Sequence, residues 1–192
     1  MSNNSANLSN RLFGIIKKEK ANTSDTTTSK ESADFVEFYS QNIDRVYRYI
    51  LVNVGDPESA QDLASETFFA AMKQLHRFRG ESTLLAWVLG IARYKIKDYF
   101  RKHRDVLDID SMTHITSTDP LPEEIAERQW QLEQINRAMC ILTHDRAQAL
   151  TLYVFAELDL NEIGSILGKS DAAIKILVYR AIQDLKKYLA MK

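Results

Sequence analysis

Residues that interrupt helices are scarce in this chain, with three prolines and six glycines among 192 positions, and an intramolecular disulfide is excluded because Cys140 is its single cysteine. Abundant Leu, Ala, Ile, Glu, Lys and Gln fill the space left by the breakers, so the composition points to an all-α protein. No apolar run approaches the length of a bilayer span, and no secretory leader of charged, apolar and small-residue blocks is present; stable membrane insertion is not expected, and the expected location is the cytoplasm. There is no glycine-rich phosphate loop and no Cys/His ligand spacing. His76, His103, His114 and His144 are scattered and read as surface residues. With no visible nucleophile, acid–base pair or metal cluster, the chain is not expected to be an enzyme, to hold a metal or cofactor, or to take a small-molecule substrate. Cys140, among Ile135, Met139, Ile141 and Leu142, reads as a small apolar core residue.

Charge of one sign is also lacking overall, since the formal net charge is -1. The balance is uneven along the chain, however. Residues 35–104 carry 11 Lys and Arg against 8 Asp and Glu, residues 105–133 carry 1 against 8, and residues 164–192 carry 6 against 2. Two basic blocks flank an acidic stretch, which suits two separate nucleic-acid surfaces.

Residues 1–34 are rich in Ser, Asn and Thr and are expected to be largely disordered, although Leu8, Leu12, Phe13, Ile15 and Ile16 could form a short amphipathic helix. From Phe35 the apolar period becomes helical: Phe35, Phe38, Tyr39, Ile43, Val46, Tyr47, Ile50, Leu51 and Val54 recur at three and four residues. Asp56 and Pro57 stand as cap and first-turn residue of a second helix that runs to about Leu75 and buries Ala60, Leu63, Ala64, Thr67, Phe68 and Ala71. Phe78 to Glu81 reads as a loop, and Ser82 as the cap of a third helix reaching Arg104, with Trp87 on its buried side. Residues 105–120 form an acidic linker. Helical periodicity then resumes through Ile125, Leu132, Ile135, Met139 and Leu142, next Ala147, Leu150 and Val154, and two final segments. Asp159 and Glu162 make a capping box, and Gly168-Lys169-Ser170 separates a short helix from a longer one spanning about Asp171–Leu189.

Two features carry chemistry. Between Arg93 and Arg104 six Lys and Arg residues and three aromatics meet a single acid, and on a helix Arg93, Lys97, Arg101 and Arg104 fall on one stripe. Such a surface can hold phosphates and offer flat rings to unstacked bases, though a solvated charged face has the same pattern. The closing pair of helices has the helix-turn-helix order, whose second member enters the major groove; Lys175, Tyr179 and Arg180 lie on its exposed side. A plain helical hairpin shares that order.

Asp62-Leu63-Ala64-Ser65-Glu66-Thr67-Phe68, Phe78-Arg79-Gly80-Glu81-Ser82, Trp87-Val88-Leu89-Gly90-Ile91-Ala92-Arg93 and Asp98-Tyr99-Phe100-Arg101-Lys102 resemble region 2 of the extracytoplasmic-function class of bacterial sigma factors. Residues 142–185, with Leu158 to Ile163 and Ile174-Lys175 to Tyr179-Arg180-Ala181, resemble region 4 of the same family. The likeness covers about 35–104 and 121–190, in the family's order. It implies two small helical domains, region 2 over 35–104 and region 4 over 121–192, joined by the flexible linker 105–120. It also implies a subunit that directs core RNA polymerase to promoter DNA and melts it, with an anti-sigma protein as an expected partner.

By the same resemblance, Asp62, Ser65, Glu66 and Phe69 would dock on the polymerase. Phe78, Arg79, Glu81 and Ser82, with Arg93, Tyr94, Lys97 and Arg101, would bind the melted minus-ten element. Lys169, Lys175, Tyr179 and Arg180 would contact the minus-thirty-five element, and the linker would follow the polymerase's RNA channel. The chain departs from the family at Tyr94, where asparagine is common, at Ser65, where glutamine is frequent, and at Ala173, where threonine is frequent. The first change is expected to alter the preferred minus-ten sequence. Two other classes remain open from residues alone: a helix-turn-helix regulator that binds operators without polymerase, and a helical adaptor without DNA contact.

Overall fold

The computed structural model describes residues 26–107 and 123–191. Among these lie seven α-helices and no strand: α1 (Thr26–Val54), α2 (Pro57–Gln74), α3 (Leu84–Leu107), α4 (Glu123–Cys140), α5 (His144–Val154), α6 (Leu160–Leu167) and α7 (Asp171–Ala190). The expected helix over Leu8–Ile16, the linker beyond Leu107 and His114 lie outside the described residues.

Helix α1 starts at Thr26, ahead of the expected onset near Phe35. Once packed turns have formed, adding further helical residues costs little. Its inner face buries Phe35, Tyr39, Ile43, Val46, Tyr49 and Ile50. Tyr49 fell outside the expected set, and its complete burial pushes the phenol well above the usual tyrosine range. Asp56 caps α2 by accepting from the Ser59 N–H at 2.7 Å, with Pro57 just inside the helix. The six residues expected to be buried on α2 are the six found there. Phe68 is the hub, with Tyr39 edge-on at 4.7 Å and Phe35 at 6.5 Å. Helix α3 closes this bundle with Leu85, Val88, Leu89, Ala92 and Ile96.

The second bundle is built by α5, α6 and α7 around Ala149, Leu150, Leu152, Ile163, Ile174, Val178 and Ala181. Arg146 of α5 pairs with Asp184 of α7 at 2.5 Å, fixing one helix to the other. Cys140 ends α4 and is exposed, contrary to the expected core position, because the chain turns there and sends Leu142 inward instead. Val154, expected inside, is also exposed at the end of α5. The two bundles touch one another along α1 and α3, a feature that local sequence patterns do not encode.

Candidate nucleic-acid interface

Helix α3 divides its residues cleanly. Ala92 and Ile96 are buried and Ile91 packs beside them, which turns Arg93, Tyr94, Lys97 and Arg101 outward as the spacing predicts. Tyr94 is 72% exposed, so its ring is available for stacking rather than consumed by the core. Asp98 bridges Lys102 at 2.8 Å and also holds Arg101. Hydrogen bonds from Lys102 and Arg101 lower the Asp98 carboxyl to about 2, so it is ionised at neutral pH and fixes the direction of both cations.

The loop before α3 is anchored at one end. Phe78 is half-buried with its ring 5.5 Å from that of Trp87, while Arg79 and Glu81 are exposed and stand 3.9 Å apart. Trp87 is half-buried and packs against the core, so it serves as the floor on which the loop rests. The cap of α3 is Thr83 and not Ser82: Thr83 Oγ1 accepts from the Ala86 N–H at 3.2 Å, whereas Ser82 Oγ turns to the Thr83 carbonyl. Only a side chain at the residue directly preceding the helix reaches the third-position amide.

The outer edge of α2 bears Asp62 and Glu66 exposed and Ser65 and Phe69 half-buried. Ser65 Oγ donates to the Gln61 carbonyl, and Glu66 meets Lys95 at 2.8 Å. Phe69 on this edge is partly covered, because Lys73 Nζ lies 4.2 Å above its ring in a cation–π contact. A cavity of about 350 Å³ between α2 and α3, lined by Leu63, Glu66, Ile91, Tyr94, Lys95 and Asp98, joins this edge to the basic face.

In the second bundle Asp159 and Glu162 form the expected reciprocal cap at 2.8 and 2.9 Å. Gly168 ends α6 with φ of +65°, a left-handed conformation that glycine adopts freely. Gly164 lies so close to the turn that a Cβ there would stand 2.6 Å from the Lys169 carbonyl oxygen. Ser170 then caps α7, which buries Ile174, Val178 and Ala181 and leaves Lys175, Tyr179 and Arg180 exposed together. Ile176, passed over in the sequence because it falls off the buried period, is half exposed on the same side. Lys169 is exposed but already pairs with Asp145 at 3.1 Å.

His76, His103 and His144 are exposed, and no cluster of metal-ligating side chains occurs among the described residues. No helix among them is long and apolar enough to cross a membrane. What the arrangement offers is two exposed basic and aromatic faces on separate bundles, one beside a loop and one on a groove-sized helix.

Residues 38–106 match the family described as Sigma-70 region 2, and residues 132–185 match Sigma-70, region 4. The ECF RNA polymerase sigma factor SigM of Bacillus subtilis (strain 168) is 31% identical over 150 residues, covering 78% of this chain and 91% of SigM. RNA polymerase sigma factor YlaC of the same organism is 30% identical over 79% of this chain and 89% of its own length. The ECF RNA polymerase sigma factor BldN of Streptomyces coelicolor is 29% identical over 93% of this chain and 66% of BldN. Among solved structures, CnrH in complex with the cytosolic domain of CnrY matches with a TM-score of 0.67 at 18% identity, covering 86% of this chain and 93% of CnrH. RpoE of Bartonella quintana, in complex with the anti-sigma factor NepR, matches at 0.62 and 21%, covering 82% of this chain and 97% of RpoE. At those identities the structural likeness concerns the fold.

Proposed function

The chain belongs to the sigma-70 family as an extracytoplasmic-function sigma factor, a subunit that brings RNA polymerase to promoter DNA, and from that membership we propose how its exposed faces share the task. The loop Phe78–Ser82 and the α3 face of Arg93, Tyr94, Lys97 and Arg101 take the minus-ten element. Opening a base step costs a few kcal/mol, and stacking on an aromatic ring returns about 1–3 kcal/mol per base. Tyr94 and, less fully, Phe100 are the exposed rings on this face, with cations beside them to hold the strand's phosphates. The protein therefore traps DNA that has opened and needs no bond-breaking chemistry of its own.

Helix α7 takes the minus-thirty-five element in the major groove, with Arg180 able to make a bidentate contact to a base edge and Lys175 serving a phosphate or a guanine. Lys169, tied to Asp145, plays the smaller part. Asp62 and Glu66, with Ser65 and the Lys73-covered Phe69, form the edge that docks on core polymerase, where acids favour an arginine-bearing partner. The domain division is region 2 up to the end of α3 and region 4 from α4 onward. The protein works in the cytoplasm, and an anti-sigma protein, of the kind seen with RpoE, is its expected regulator. Family membership disfavours an operator-binding regulator that acts without polymerase.

The observation that carries the division of labour is the placement of exposed Lys175, Tyr179 and Arg180 on a capped helix separate from exposed Tyr94, Lys97 and Arg101. Lys175→Ala with Arg180→Ala is expected to reduce transcription from promoters that need the upstream element by roughly tenfold or more, the value of one good base contact. Matched templates lacking that element should lose far less. Equal loss on both templates, measured by run-off transcription, would contradict the assignment.

A further inference from the structure

Helix α7 buries Ile174, Val178 and Ala181 in the second bundle, and these three define its inner side. At about 100° of rotation per residue, the direction opposite their mean falls between Ala172 and Ile176, which lie one turn apart. Both are exposed, Ile176 to 50%. Round the helix from that line, Tyr179 and then Lys175 come up on one side and Arg180 on the other, all exposed. The face therefore has an apolar centre with a cation on each flank. A lone exposed isoleucine is ordinary on a protein surface. This one stands where α7 projects furthest from its own bundle, in the second turn after the Ser170 cap.

We infer that Ile176 sets part of the sequence preference of α7 by packing on the C5-methyl of a thymine in the minus-thirty-five element, which rests on the reading of α7 as the groove helix. A helix with its side chains is about 10–12 Å across and the major groove about 12 Å wide. A helix that enters sets its outermost line against the base edges and its flanks toward the two phosphate walls. Lys175 and Arg180 occupy those flanks, from which cations reach phosphates or the outer base edges. The centre offers no hydrogen-bonding side chain. A guanine, adenine or cytosine edge pressed against Ile176 would lose water and gain no partner. Thymine is the base that presents an apolar group in this groove. Ala172, with a single methyl, lets this part of the helix come close to the bases. A polypeptide partner would meet the same isoleucine, but cations on both flanks fit the two phosphate strands that border a groove.

Thymine and uracil differ only by the methyl in question, so their comparison isolates the contact. In a promoter duplex that the holoenzyme uses, each thymine of the upstream element, on either strand, is replaced in turn by deoxyuridine. Binding is measured by competition with a labelled duplex for core polymerase carrying the wild-type chain, Ile176→Ala or Ile176→Val. Ile176 lies outside the packed core, so both variants are expected to keep the wild-type helical signal by circular dichroism. At one thymine or two adjacent ones, uracil is expected to weaken wild-type binding about fourfold, the value of one buried methyl. Ile176→Ala should bind the thymine and uracil duplexes alike, and as the wild type binds uracil, because the two changes remove the same contact. Ile176→Val keeps the branched β-carbon and should keep part of the preference. Uracil tolerated at every position by the wild-type holoenzyme would overturn the assignment. An equal loss from Ile176→Ala on thymine and uracil duplexes would also overturn it and give the isoleucine to a protein contact. If Lys175→Ala with Arg180→Ala leaves upstream-dependent binding untouched as well, the groove reading falls together with the thymine contact. If that pair weakens binding while uracil is tolerated throughout, the thymine contact falls alone.

Discussion

Valine in place of Gly164 is expected to abolish use of promoters that depend on the upstream element, while the first bundle stays folded. A Cβ at this position would lie 2.6 Å from the Lys169 carbonyl oxygen and 3.4 Å from Asp171 Oδ1. The first obstacle is backbone, so it cannot swing aside as the tip of a side chain could. Relief requires moving the turn of Gly168, Lys169 and Ser170, which holds the left-handed end of α6 and the cap of α7 together. Overpacking of this kind costs about 1–3 kcal/mol, and valine's two γ-methyl groups, added beyond the Cβ, place the substitution at the upper end. The displaced turn also re-aims Lys175, Tyr179 and Arg180, so recognition is lost before the fold is. Thermal unfolding followed by circular dichroism should show a lower-melting fraction of the helical signal. Run-off transcription should fall to background on upstream-dependent templates and persist on templates without that requirement. A valine variant with wild-type melting and wild-type transcription would show that the close approach has no cost.

The second large effect is expected from Lys97→Ala combined with Arg101→Ala. Both side chains are exposed on the α3 face that also presents Tyr94, and neither supports the core. Phosphate contacts release counterions, so each one removed lowers the slope of log affinity against log salt by about 0.7 for single strands and 0.9 for duplex. The double variant, bound to core polymerase, should bind promoter DNA with a salt slope smaller by about 1.5 and at least tenfold more weakly near 0.15 M salt. The loss should be similar whatever the upstream sequence, which separates it from the α7 variants. Asp98 holds the Arg101 guanidinium, so DNA must compete for that side chain. An unchanged salt slope would remove these cations from the interface.

Legibility in the sequence followed how local each feature is. The buried set of α2, the Asp56 cap with Pro57, and the Asp159–Glu162 box were all readable, because each depends on residues within one or two turns. The exposed faces of α3 and α7 followed from the same periodicity, since burial of Ala92, Ile96, Ile174 and Val178 dictates what points outward. Tyr49 was missed because a helix contacted on two sides buries a wider arc than a single stripe, and α1 meets both α2 and α3. Cys140 was misplaced because apolar neighbours in sequence say nothing of where a helix stops. Phe69 depended on whether Lys73 folds back over it, a choice of rotamer that residue spacing leaves open. The contact between the bundles, where Arg45 Nε donates to the Ala156 carbonyl, was the least legible of all. Arg45 and Ala156 are far apart in the chain, and nothing in either neighbourhood marks the other as its partner.

Multiple-round abortive products would confuse the central test, so single-round run-off transcription is the most direct measurement: purified chain, core RNA polymerase, and genomic promoter fragments, compared with core polymerase alone. Discrete transcripts from a restricted set of fragments, absent without the added chain, are the expected result. Transcription no greater than the core-only background, with the free chain binding duplex sites unaided, would contradict the account.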